Sequence, residues 1–272
     1  MDGNRSSTGN LIDPSLARGF ARSMLHESER RETASSHRVR GTPFNLVGRK
    51  RIIESLVKGT PNLIGSVTVP DRTNAVIASF STVSSETRAQ GLIFTQFEFE
   101  LDPKRMRREG PTALYSQTQL VAIAMPHVLE RMVMRLGHRR LDDIIPVLRP
   151  SLGWAVMARY MGRCGPFSVP IPEGLVCCEW YRNIDMGGGV RLGPGAIIKT
   201  FISTENMKSR TQSRRDALIA AGAMDMSPRF PRLTTPRPEE TDVFAKMHAI
   251  EAEYQRDVQD REARRQRDPS AA

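Results

Sequence analysis

The apolar residues of this chain change period along its length, and that change limits the fold more than any other feature. Residues 66–101 are rich in β-branched and aromatic side chains. Ile93, Thr95, Phe97, Phe99 and Leu101 alternate strictly there, which puts every second side chain on one face of a strand. Residues 116–136 and 141–161 instead read as helices, and residues 167–171, 175–182 and 196–203 return to strand texture. Strands and helices segregated in this way predict an α+β protein, with helices packed on a curved antiparallel sheet.

The 272 residues suffice for one substantial core with extensions. Residues 1–45 carry Ser, Arg, Gly and Glu with no sustained period and read as a mobile basic arm with at most one helical turn, around Phe20 and Met24. The core is expected over 46–222, opening with a helix over 47–57 and strands to about 103, joined by a charged connection over 102–111. A Pro- and Arg-rich linker follows over 223–238, then a helix over 239–268. In that helix Val243, Met247, Ile250, Tyr254 and Val258 form one apolar stripe, suited to core packing, self-association or a partner helix. Within the central helices, Pro126 is expected to kink the first, and Pro146 and Pro150 to break the second. Gly187, Gly188 and Gly189 supply a turn.

Forty Lys plus Arg against thirty Asp plus Glu give a net charge of +10 and a pI near 10.1. Most of the cations are Arg, which matches phosphate bidentately, and they concentrate in residues 104–165 and 182–232. Such a surface attracts RNA or another polyanion before any specific contact forms. No stretch reaches the roughly 18 to 20 apolar residues of a membrane span, and Met1 does not open a signal peptide. Cys164, Cys177 and Cys178 lack metal-ligand spacing and read as reduced, so a cytoplasmic location is expected.

Common catalytic signatures are missing: there is no G-x-x-x-x-G-K-S/T, no H-E-x-x-H, no G-x-S-x-G and no paired C-x-x-C. Neither a metal nor a cofactor is expected. Asp142 and Asp143 are the nearest thing to a carboxylate pair, but they open a helix, where acids suit the dipole.

His127, Arg131 and Arg135 lie at i, i+4 and i+8, so all three project from nearly one helical face. A cation row of this kind repels itself unless an anion lies against it. RNA cleavage without a metal needs these groups: a residue that moves protons near neutrality, and fixed positive charge for the phosphorane. A hydrogen-bonded packing histidine among outward-facing arginines is the plainer reading of the same spacing.

The segment MPHVLERMVMRLGHRRLDDIIPVL, followed by strands and GPGAIIKTFIST, resembles the His-helix and terminal strand of proteins with the barnase, EndoU, colicin and RelE type of fold. In small members of that group, a His-x-x-x-Arg helix precedes a curved antiparallel sheet whose last strand carries a Thr. The resemblance spans about residues 115–204. It implies metal-independent RNA cleavage of the kind performed by toxins that act on translation, leaving a 2′,3′-cyclic phosphate. His127 would then transfer the proton, Arg131 and Arg135 would hold the scissile phosphate, and Thr200 and Ser203 would position substrate, with Arg139, Arg140 and Lys199 as further contacts. The chain departs from that pattern in placing Pro126 directly before the His and in its long second helical region, and the resemblance assigns no second catalytic His or Glu. Two other classes stay open: a noncatalytic nucleic-acid or ribonucleoprotein binder, with Trp154, Trp180, Tyr160 and Tyr181 as candidate stacking residues, and a structural or interaction protein.

Overall fold

Helix α1 (Pro14–Val39) opens the described chain. Its start is set by Asp13, whose carboxylate accepts the backbone N–H groups of Ser15 and Leu16 at 2.8 and 3.3 Å and so satisfies donors that lack helical partners. Ala17, Ala21, Met24, Leu25 and Ser28 form a buried stripe along it. The computed structural model describes residues 12–39, 49–68, 74–83, 91–100, 108, 115–186, 191–232 and 235–267. The mobile arm expected over 1–45 is therefore corrected over 14–39, where a helix packs on the core; residues 1–11 and 40–48 lie outside the described residues. So do most of the charged connection at 102–111 and the triple glycine at 187–189.

After α2 (Arg49–Gly59) come β1 (Leu63–Thr68), β2 (Asn74–Val83), β3 (Gly91–Glu100) and β4 (Tyr115–Ala124), an antiparallel meander. Helices α3 (Pro126–Leu136) and α4 (Leu141–Met161) follow, then β5 (Gly165–Ile171), β6 (Gly174–Tyr181), the two-residue strands β7 (Ile184–Asp185) and β8 (Arg191–Leu192), and β9 (Gly195–Ser203). The chain ends in α5 (Ser209–Ala220) and α6 (Pro238–Arg267). The main sheet has seven strands in the order β1-β2-β3-β4-β9-β6-β5. It is mixed, not wholly antiparallel as expected, because β9 runs parallel to β4.

Three other expectations change. Residues 115–124 are a strand, not the first half of a helix, because Val121 to Ala124 are all buried between two covered faces and show no alternation. Pro126 consequently starts α3 at its first turn, where its missing N–H costs nothing, instead of kinking it. Helix α4 runs continuously through Pro146 and Pro150.

Alternation divides the sheet into two covered faces. Leu92, Phe94, Ala122 and Ala124 face the large core built with α1, α3, α4 and α6, whereas Ile93 and Ile123 face a small cluster under the β7–β8 hairpin, with Ile184. Within the region expected as a linker over 223–238, Ala223, Phe230 and Arg232 are buried. Gln96 on β3 exchanges two hydrogen bonds with the main chain of Arg232 at 2.8 and 3.2 Å, and the Arg232 guanidinium meets the buried Glu240 carboxylate at 2.7 Å. These contacts anchor α6. Its apolar stripe is spent largely on the core, since Val243, Phe244 and Met247 are buried and Phe244 stacks on Trp154 at 5.8 Å. No helix among the described residues is long and apolar enough to cross a membrane.

Candidate functional site

Helix α3 is amphipathic by sequence: Val128, Leu129, Met132 and Val133 are buried, each worth about 1.5 to 3 kcal/mol of apolar burial. Gly137 ends it in the left-handed region, φ 71°, and returns its N–H to the Val133 carbonyl at 3.0 Å. Once that apolar face is fixed in the core, His127, Arg131 and Arg135 must leave from the other side.

What they meet is decided by β9. Strand β4 pairs with β9 only from Ala122 to Ala124, against Ala196 to Ile198, because the chain then turns at Met125 into α3. Beyond Ile198, the edge of β9 on that side has α3 beside it instead of a strand. A β-bulge falls here, since Cys177 pairs with Thr200 and Cys178 with Ile198, leaving Lys199 as the extra residue.

Each member of the helical row finds one partner on this segment. His127 Nε2–H donates to the Lys199 carbonyl, Arg131 Nη1 to the Thr200 hydroxyl, and Arg135 Nη1 to the Phe201 carbonyl. His127 and Arg135 thus satisfy backbone acceptors that a neighbouring strand would otherwise have served. The bond to a carbonyl makes Nε2 the protonated nitrogen of neutral His127, which leaves the lone pair on Nδ1. His127 is exposed, and Arg131 and Arg135 are half-buried.

Neither guanidinium has a carboxylate partner among the described residues. Burial, then repulsion from Arg131, lowers the pKa of Arg135 from its ordinary value. The site is therefore a concentration of uncompensated positive charge beside an imidazole.

The other expected residues divide. Lys199 supplies its carbonyl to the row, but its ammonium is held by the Glu179 carboxylate and lies 5.9 Å from the Tyr181 ring centre. Hydrogen bonding to Glu179 raises the Lys199 pKa. Burial opposes ionisation of Glu179, yet hydrogen bonds from Lys199 and Tyr181 outweigh it and keep that carboxyl below its usual value. Arg139 lies over Phe20 of α1 at 5.2 Å, and Arg140 pairs with Asp142 at 3.5 Å, so these two turn away from the row. Ser203 is buried and accepts a hydrogen bond from Asn206 at 2.8 Å, a local turn contact. Trp154 and Trp180 are buried, which removes them as stacking platforms; Tyr160 is exposed.

Glu179 was not singled out by sequence reasoning, and Tyr181 only as a candidate stacking residue. Their connection to His127 runs through Lys199, a register effect of the bulge that no local pattern announces. Asp142, the nearest thing to a catalytic carboxylate in the sequence, is instead held by a forked contact from Arg31 at 3.1 and 3.3 Å, and that contact lowers its pKa. The described residues hold no group of three His, Cys, Asp or Glu side chains that could bind a metal ion. No protein-family model, no curated protein and no solved structure matches this chain.

Proposed function

We propose that the chain is a metal-independent, RNA-directed endoribonuclease of toxin-like character, acting in the cytoplasm through 2′,3′-cyclic phosphate chemistry. The observation that carries this reading is the meeting of His127, Arg131 and Arg135 on the segment from Lys199 to Phe201, with the imidazole exposed and the two guanidiniums facing no carboxylate.

In this reading the phosphate between two nucleotides sits against Arg131 and Arg135, whose charge offsets the extra negative charge of the phosphorane. The 2′-oxygen attacks phosphorus, the bond to the 5′-oxygen breaks, and a cyclic phosphate remains on the upstream fragment. Two protons move: one leaves the 2′-hydroxyl and one reaches the departing oxygen. His127 takes part through Nδ1, because Nε2 is committed to the Lys199 carbonyl. His127 accepts the 2′-hydroxyl proton there, and water supplies the proton that the departing oxygen takes; Glu179, ionised near neutrality and held by Lys199, has none to give. Thr200 acts by positioning Arg131.

A second reading is favoured by one specific observation. His127 and Arg135 already satisfy backbone carbonyls of β9, a structural job that suits a noncatalytic RNA binder equally well. Incubating the purified protein with total RNA in EDTA separates the two. Discrete fragments ending in cyclic phosphate support the nuclease, and a salt-sensitive mobility shift without cleavage supports the binder.

A further inference from the structure

Three of the cavities among the described residues open on the surface away from the His127 row, and their charge sorts them. One of about 190 Å³ sets Arg210 and Arg214 beside Glu253 and Asp257, and one of about 300 Å³ sets Arg31 and Arg149 beside Asp142, so each holds a carboxylate among its arginines. The third, about 340 Å³, lies between β1, α4 and the segment 227–231. Its lining includes Arg149, Arg229, Ser66 and Ser227 and contains no carboxylate.

The two arginines are arranged differently. Arg149 gives Nε and Nη2 to the Phe230 carbonyl at 3.1 and 3.0 Å, which fixes the guanidinium plane and leaves Nη1 unengaged among the described residues. It passes over Gly65, where a Cβ would come within 3.1 Å of both Arg149 Nη2 and Pro231 Cδ, so the bare backbone makes the room it needs. Arg229 is exposed and has no carboxylate partner among the described residues. The remaining wall is apolar and flat, from the rings of Pro146, Pro150 and Pro228.

We propose that this cavity binds an organic phosphate monoester with a small flat body, the chemistry of a mononucleotide or of the phosphorylated end of a nucleic acid. Two guanidiniums and two hydroxyls offer more donors than a two-oxygen carboxylate can accept, and they suit the three terminal oxygens of a phosphate. The volume falls at the lower end of the range for small-ligand pockets, roughly 300 to 1,000 Å³. Arg149, held in place before binding, lowers the ordering cost. The site shares no residue with α3 or β9 and stands or falls apart from the nuclease reading.

The test is calorimetric titration of the full chain, its Arg229→Gln and Ser227→Ala variants, and His127→Ala, with thermal melting to confirm that each is folded. Probes are adenosine 5′-monophosphate, adenosine, inorganic phosphate, and a short deoxyoligonucleotide with either a 5′-phosphate or a 5′-hydroxyl, which lacks the 2′-oxygen needed for cleavage. The monophosphate should bind, compete with inorganic phosphate, and lose about tenfold in affinity in Arg229→Gln, while adenosine does not bind and His127→Ala changes nothing. If the natural source is a nucleic-acid end, the 5′-phosphorylated oligonucleotide should outbind its hydroxyl counterpart by about tenfold, and Arg229→Gln should erase that margin. A result in which neither phosphate monoester outbinds its hydroxyl counterpart, or in which the preference survives both variants undiminished, overturns the proposal.

Discussion

His127 and Lys199, 72 positions apart, are joined by a hydrogen bond from imidazole Nε2 to a main-chain carbonyl. This bond sits at a strand bulge, one helical turn from the Arg131 contact to Thr200. It fixes the ring's tautomer, and from that several outcomes follow.

Nitrogen-15 NMR of the folded protein above the imidazole pKa should show the His127 proton on Nε2 and a pyridine-type shift at Nδ1. The opposite tautomer would leave no lone pair on the nitrogen that the mechanism uses.

Replacing both Arg131 and Arg135 by Ala should weaken binding to single-stranded RNA and reduce the slope of log affinity against log salt by about 1.4, two phosphate contacts at roughly 0.7 each. An unchanged slope in filter-binding titrations would mean that neither side chain touches phosphate.

Thr200→Val keeps the shape and β-propensity of the strand but removes the acceptor for Arg131. Stability should change by no more than about 1 kcal/mol. The loss should fall on kcat, about tenfold, with KM nearly constant, because a loosened guanidinium still attracts RNA but no longer sits where charge develops. A rise in KM alone would assign Thr200 to substrate contact instead.

Stability should depend on pH through Glu240. Burial opposes its ionisation, but the Arg232 guanidinium and the Arg237 N–H groups prevail and lower its pKa from 4.5 to about 2. The folded value lies below the unfolded one, so the contribution is fully present above about pH 4.5 and fades as pH falls towards 2. Glu240→Gln should cost about 3 kcal/mol at pH 7 and flatten that acid limb in denaturant titrations, since it removes the carboxylate that meets the buried Arg232 guanidinium.

Gly153→Ala should destabilise by about 3 kcal/mol, although alanine is the better helix former. A methyl group at this point of α4 would overlap the Pro228 carbonyl oxygen, which the glycine admits. Thermal melting reads the effect, and a neutral result would show that segment 227–231 moves aside at little cost.

The strands over 66–101 were legible because Ile93, Phe97 and their neighbours alternate on a sheet with two unlike faces. Strand β4 was not, because its buried part, Val121 to Ala124, is covered on both sides, and a continuous apolar run carries no period. Helix α1 was legible only as a turn around Phe20 and Met24, because the rest of its buried stripe uses Ala17, Ala21 and Ser28, small side chains that do not stand out in hydropathy. The breaks expected at Pro146 and Pro150 did not occur. Pro146 is exposed, so the carbonyl deprived of its N–H partner can turn to water. The segment 223–238 looked like a linker by composition, whereas its Arg232 is a buried counter-charge for a glutamate outside it.

Of the site, the i, i+4, i+8 row could be read directly, since it needs only helical geometry. Arg139 and Arg140 lie past Gly137, which ends the helix, and each has a near partner, Phe20 or Asp142, that helical spacing does not reveal. The Glu179 contact to Lys199 depends on which residues β6 and β9 bring near one another, long-range information that spacing alone does not hold.

The most direct test is a single-turnover cleavage assay in EDTA comparing the parent with His127→Ala, with RNA affinity measured on the same preparations. The account predicts that the variant loses at least about a hundredfold in cleavage rate while its affinity changes by less than about twofold, because a neutral imidazole adds little to phosphate attraction. A folded His127→Ala protein that cuts RNA as fast as the parent would contradict it.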